Sequence, residues 1–246
     1  MTDCAISMVD TSILEALQKS ELNVEGEFIW GSNATYFLQA SWLGEIFQVV
    51  YKPIRGERPL WDFPQHTLAK REVAAYLVSE ELGWHLVPPT VMRNHAPFGR
   101  GMIQLYVEHD PNYHYFTFRE SDRQRLKPVV VFDLIVNNAD RKGSHILIDY
   151  HGKIWCIDHG ICFHEQDKLR TVLWDFAGQP IPQDLLQDIQ RFWDALQTST
   201  EIANQLHQYL SEGELQALIR RTEKLLVNPI FPYPSQERRS YPWPLI

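Results

Sequence analysis

The sequence predicts an α+β fold in two lobes, a small sheet-plus-helix lobe followed by a mainly helical one. Three observations carry that expectation. Residues 27–52 run as strands, residues 66–83 run as one helix, and most periodic segments after residue 112 repeat at helical spacing. The length of 246 residues, with 44% hydrophobic and 22% charged, suits one large domain or two lobes sharing a cleft.

Composition excludes several classes. Acids outnumber bases 31 to 23, for a net charge of -8, which is not the electrostatic footprint of a nucleic-acid binder. The same sign argues against adhesion to an anionic membrane face. Three cysteines make no disulfide framework and point to a reducing compartment. The strongest apolar run, Val129 to Val136, is short and contains Asp133, so no membrane span is expected. The first residues lack a basic patch before an apolar block, so a cytoplasmic location is the expectation.

Taken in order, residues 1–26 read as a lead-in and 27–108 as a first, nucleotide-binding lobe. EFIW, TYFLQASW and EIFQVVYK are strands, with a turn at Leu43-Gly44. The helix at 66–83 stops at Gly83, and IQLYV is a further strand. EHDPN at 108–112 breaks the pattern and marks the lobe boundary. In the second lobe, 109–228, Pro128 opens a helix over VVVFDLIVNN that is apolar all round and hence buried. HILID and IWCID are short strands about the turn Tyr150-His151-Gly152. Apolar residues recur helically over 185–196 and 202–210, and Ser211 with Glu214 forms a capping box for a helix through Leu226. The tail, 229–246, holds five of the 15 prolines plus four aromatic residues, so it is neither regular helix nor central strand. It reads as an extended surface strap, or as a recognition segment for a protein partner.

Two features point to chemistry. Glu72 shares a helix face with Leu68 and Tyr76, where a carboxylate is costly unless a cation meets it. Lys52 ends a strand in phase with Ile46 and Val50 and is the natural partner; alternatively, Glu72 lies at the stripe's edge beside Arg71. A strand lysine paired with a helix glutamate is how kinases hold nucleotide phosphates. Ahead of it, the small polar loop Gly31 to Thr35, with Ser32 and Asn33, offers backbone N–H groups to phosphate oxygens or is simply a hairpin. The second feature is FDLIVNNADRKGSHILIDYHGKIWCIDHGICF. It sets Asp140 and Asp158 at neighbouring strand–loop edges, where one carboxylate can serve an acceptor hydroxyl and the other Mg²⁺.

FDLIVNNADRKGSHILID followed by IWCIDHGICF resembles the catalytic and metal-binding segments of the phosphatidylinositol 3-/4-kinase-like superfamily. The closest likeness is to the type II phosphatidylinositol 4-kinases, and the blocks VYKPIRGERPLWDFP, REVAAYLVSEELG and KLRTVLW extend it to bacterial kinase-like proteins of about this length. The resemblance implies a bilobal protein-kinase-like fold and transfer of the ATP γ-phosphate to a hydroxyl of a protein, small molecule or lipid. It implies Lys52 on the phosphates, Glu72 orienting it, Asp140 as catalytic aspartate, Asp158 as metal ligand, and Gln104, Tyr106 and Val107 as the adenine hinge. His145 stands where the family has a metal-binding asparagine. Imidazole suits Mn²⁺ better than Mg²⁺, so either ion is expected. A non-catalytic ATP-binding module and an AMP transferase on the same fold are the alternatives. The histidines and cysteines of 145–164 match no zinc-knuckle spacing, and no GxSxG elbow occurs.

Overall fold

The structure is a computed structural model and describes residues 10–28, 33–198 and 201–246. Helix α1 (Asp10–Lys19) leads into strands β1 (Glu21–Glu27), β2 (Tyr36–Trp42) and β3 (Glu45–Pro53). Helix α2 (Leu68–Glu81) and strands β4 (Thr90–Arg93) and β5 (Gly101–Leu105) complete the first lobe. Its five strands form one antiparallel sheet in the order β1-β2-β3-β5-β4. The second lobe contains α3 (Glu120–Gln124), α4 (Lys127–Val136), a ribbon of β6 (Ile146–Ile148) and β7 (Ile154–Cys156), then α5 (Gln183–Gln197), α6 (Glu201–Leu206) and α7 (Glu212–Val227). This is the α+β, two-lobed architecture the strand and helix periods predict.

Strand alternation sorts the first lobe. Val49 and Tyr51 are buried with Leu38, Ala40 and Ile103 against Leu17 of α1. Lys52 falls on the opposite face, paired across the sheet with Met102, and there α2 packs Ala69 and Val73 against Met92 and Met102. The sheet is thus held between two helices, with Lys52 on the α2 side. β5 must come very close to β3, because a Cβ on Gly101 would lie 2.5 Å from Lys52 O. The glutamate before α2 sets its start: the Glu57 carboxylate accepts from Leu68 N and Ala69 N, at 3.2 and 2.8 Å. Gly83, at φ +72°, ends it.

Helix α4 is the core of the second lobe. Val129, Phe132, Ile135 and Val136 are buried in one cluster with Ile189 and Phe192 of α5 and Leu218 of α7. Ser211 and Glu214 make the capping box at the start of α7. The tail runs without helix or strand over this lobe. Phe231 is buried, and backbone hydrogen bonds join Thr171 N to Ser240 O and Gly143 N to Leu245 O, at 3.1 and 2.8 Å.

Four places differ from the sequence reading, the first being the strand read at EFIW: Glu27 ends β1, Phe28 lies beyond it, and Ile29 and Trp30 lie outside the described residues. Residues 10–26, read as a lead-in, form α1 and β1, and β1 joins the sheet edge. β1 (ELNVEGE) is almost entirely exposed and so shows no alternation. β4 is four residues behind Pro88-Pro89, too short for a period. No helix among the described residues is long and apolar enough to cross a membrane.

Candidate active site

The site is built where β3, α2 and the loops around β6–β7 converge. Lys52 Nζ lies 2.5 Å from Glu72 Oε1 and 2.9 Å from Asp158 Oδ1, so one ammonium bridges both lobes. Glu72 is 1% exposed, and its second oxygen accepts the His159 N–H at 2.8 Å. The carboxylate on the apolar face of α2 therefore meets both a cation and a backbone donor, which is what makes its burial tolerable. Asp158 stays 48% exposed, and its Oδ2 lies 3.4 Å from His145 Nε2. Its backbone is left-handed, φ +62°, an uncommon conformation for a non-glycine residue and one often found at functional sites. Lys52 holds the Asp158 carboxyl far below the usual carboxylate range, against the effect of burial and with help from His145. Both carboxylates and burial act on Lys52, and the two carboxylates prevail, so the ammonium stays charged.

Asp140 lies on the loop after α4, 24% exposed, with Lys142 Nζ 3.3 Å from its Oδ2. Burial pushes its carboxyl up to about 6, opposed by Lys142 and aided by the nearby Asp158 charge. A carboxylate poised there can accept a proton near neutral pH. Burial also pushes His145 down to about 4, despite Asp158, so its ring is neutral at pH 7; its Nδ1 is buried without a partner and its Nε2 faces Asp158.

Under the loop lies a second set of charges. Arg141 and Asp133 are fully buried and paired at 3.0 Å. Arg141 also donates to the carbonyls of Ile157 and His145, at 2.8 and 3.2 Å, and to His159 Nε2 at 2.7 Å. It thereby ties the loop bearing Asp140 to the segment bearing Asp158. Asn138 Oδ1 accepts the Asp140 N–H at 2.9 Å while its amide donates to Asp133. Asn137 caps α4 in the left-handed region, φ 54°, and its side chain bonds residues 164, 166 and 168. Arg71, beside Glu72, donates to Cys162 O and pairs with Glu214 of α7, which pins α2 to the second lobe. Close packing adds to this, since a Cβ on Gly143 would lie 2.7 Å from the Phe116 ring.

Sequence reasoning misses Asp133, Asn137, Asn138, Arg141 and the Arg71–Glu214 pair as supports of the site. Two signals were present. Asp133 is a charge in an all-apolar helix, the same anomaly that singles out Glu72. Asn137-Asn138 directly follows that helix, where a left-handed cap is common. Arg71–Glu214 spans 143 residues and leaves no local pattern.

The remaining residues fall as follows. Ser32 lies outside the described residues. The Asn33 side chain accepts the Arg58 N–H at 2.7 Å. Gln104 is buried and donates to Thr90 Oγ1 at 2.8 Å, so its side chain braces β4. Tyr106 N donates to Gln48 O, and Val107 O meets His109 Nδ1. Val107 N–H has no partner among the described residues. Cys156 and Cys162 are buried free thiols, and no group of three metal-binding side chains occurs among the described residues.

Known proteins share this architecture. The Golgi casein kinase, solved with Mn/ADP bound, superposes with a TM-score of 0.58 at 15% identity, over 89% of this chain and 74% of that one. A hydra Fam20 structure with sugar gives 0.58 at 14% identity over 92% and 88%, and the Helicobacter pylori proinflammatory kinase CtkA gives 0.51 at 13% over 87% and 94%. These likenesses establish a kinase-like, two-lobed fold. In sequence, Protein Rv2133c of Mycobacterium tuberculosis is 40% identical over 93% of both chains. Phosphatidylinositol 4-kinase gamma 4 of Arabidopsis thaliana is 29% identical over 61% of this chain, which spans about a third of that longer protein, 34%. The family profile described as phosphatidylinositol 3- and 4-kinase matches residues 66–228, from the turn before α2 to the end of α7. That match covers Glu72, Asp140, His145 and Asp158 together, and the chain belongs to the phosphatidylinositol 3- and 4-kinase family.

Proposed function

We propose that the chain is an ATP-dependent phosphotransferase that moves the γ-phosphate to a hydroxyl acceptor. The observation that carries this reading is the bridge Glu72–Lys52–Asp158, at 2.5 and 2.9 Å, in front of a separate carboxylate, Asp140, tuned towards neutrality. A purely structural ion pair has no need for a half-exposed third member or for a poised carboxylate on the facing loop.

In this reading Lys52 contacts the nucleotide phosphates and Glu72 fixes its direction. Ser32 and Asn33 are assigned to the phosphates through their backbone N–H groups. The segment Gln104–Tyr106–Val107 faces the adenine, with the Val107 N–H as its unused donor and Gln104 supporting it from behind. Asp140 orients the acceptor hydroxyl and accepts its proton, and Lys142 favours the ionised form. Asp158 and His145 fit a divalent cation: Oδ1 of Asp158 is held by Lys52, leaving Oδ2 beside a neutral imidazole nitrogen. One carboxylate and one imidazole favour Mn²⁺ over Mg²⁺ compared with an all-oxygen set. When bound, that cation would neutralise phosphate charge. The Golgi casein kinase, which shares the fold and was solved with Mn/ADP bound, supports the same pairing of nucleotide and ion.

The test is incubation with γ- or α-labelled ATP and Mn²⁺ or Mg²⁺, with and without a cell extract as acceptor source. Label transferred from the γ position alone is expected. Label from the α position would make the chain an AMP transferase, and nucleotide binding without label transfer would make it a binding module.

A further inference from the structure

A second cavity lies in the helical lobe, between α7, the segment 165–174 and the strap. It encloses about 520 Å³, within the range of small-molecule sites. Leu169, Trp174 and Tyr233 supply apolar wall, and one face of α7 presents Arg220, Arg221 and Lys224 at helical spacing. Of the other charged lining residues, Arg238 and Asp167 satisfy each other at 2.7 Å. What remains is three cations against Glu165 and Glu237, a positive cavity on a chain of net charge -8.

Two donors in these walls are unfinished. Arg221 donates from Nε to Ile135 O at 2.9 Å and from Nη1 to His164 O at 3.1 Å. Its Nη2 is buried without a partner, and no carboxylate pairs with Arg221 among the described residues. Trp174 Nε1 is likewise buried without an acceptor. Arg221 is hydrogen-bonded only to carbonyls, with Asp167 and Glu214 acting on it through space, so its charge adds to those of Arg220 and Lys224 at the cavity wall, where a bound anion would meet all three.

We propose that this cavity binds a small organic phosphate, its anionic head against Arg220, Arg221 and Lys224 and its apolar body against Trp174 and Tyr233. A phosphate monoester brings close to two negative charges and three acceptor oxygens, which suits three cations better than a carboxylate. The half-apolar wall argues for an organic body over the inorganic ion. The site is separate from the Lys52–Asp158 cleft and does not depend on its chemistry.

The probe is phenyl phosphate, titrated calorimetrically into the full chain with and without saturating ADP and Mn²⁺. Saturable binding that is unchanged by the nucleotide is expected. Phenol, which lacks the head, and inorganic phosphate, which lacks the body, should each bind at least about tenfold more weakly. The double variant Arg220→Ala/Lys224→Ala changes exposed side chains and should fold; its thermal midpoint in buffer checks that. It should weaken phenyl phosphate by about tenfold or more. Absence of saturable heat, equal binding by phenol, wild-type affinity in the double variant, or competition by ADP with Mn²⁺ would each overturn the proposal.

Discussion

Two charge clusters sit within a few residues of each other and are built oppositely. In Asp133–Arg141 both side chains are fully buried, and the guanidinium donates to a carboxylate, two carbonyls and an imidazole. In Glu72–Lys52–Asp158 the buried end is equally well satisfied, but the far end is open, with Asp158 48% exposed and one oxygen facing His145. The closed cluster has nothing left to offer a ligand, and its work is to fix two loops. The open cluster has an anion and a cation still able to take partners, which is what a phosphate–metal site requires.

That contrast predicts different responses to mutation. The largest loss of stability should follow Arg141→Met, which strands the Asp133 carboxylate in the core at a cost of about 3–5 kcal/mol. Urea unfolding measures it, and a cost near zero would mean the two loops are held by something else.

Lys52 and Glu72 should be coupled in the same way. Lys52→Met alone leaves Glu72 buried without its cation, and the double change with Glu72→Leu should be at least about 1 kcal/mol less destabilising than the sum of the singles. Additivity in the cycle would separate the two side chains energetically despite their contact.

The next effect is on pH. In the proposed role Asp140 works ionised, and burial pushes its carboxyl up to about 6. ATP turnover should therefore fall as pH drops through about 6, whereas an unshifted aspartate would keep the rate level to about pH 5. Because the folded state holds this proton more tightly than the unfolded chain, the same shift lowers stability as pH rises through the folded value. Lys142→Met removes the neighbouring cation and should move the acid limb upward; an unmoved limb would assign it to another group.

The smallest effect concerns His145. His145→Asn should shift nucleotide affinity from Mn²⁺ towards Mg²⁺ by a few-fold, with wild-type binding level across pH 5.5–8 because the ring is neutral throughout. Unchanged metal preference would remove His145 from the ion's ligands.

The same contrast explains what the sequence revealed. Lys52 and Glu72 were legible because period 2 and period 3.6 each put a charge on an apolar face. The long helices and the Ser211–Glu214 box were legible for the same local reason. Asp133 carried that signal too, in a helix apolar on every side, where no polar face marks the anomaly. Arg71–Glu214 and the Leu245 carbonyl on Gly143 are long-range contacts without periodicity. β1 and β4 escaped because one is exposed and the other is four residues long, whereas α1, as long as α4, carries a helical spacing at Ile13, Ala16 and Leu17 that the reading passed over. The cavity beside α7 depends on a strap whose path its prolines permit but do not specify.

The central claim is that the two carboxylates divide labour, Asp158 with the nucleotide's metal and Asp140 with the acceptor. Calorimetric titration of ADP with Mn²⁺ into wild type, Asp140→Asn and Asp158→Asn tests this without any acceptor in hand. Asp140→Asn should bind within about twofold of wild type, while Asp158→Asn should lose at least about tenfold and most of its dependence on Mn²⁺. Equal losses in both variants, or wild-type binding in Asp158→Asn, would contradict it.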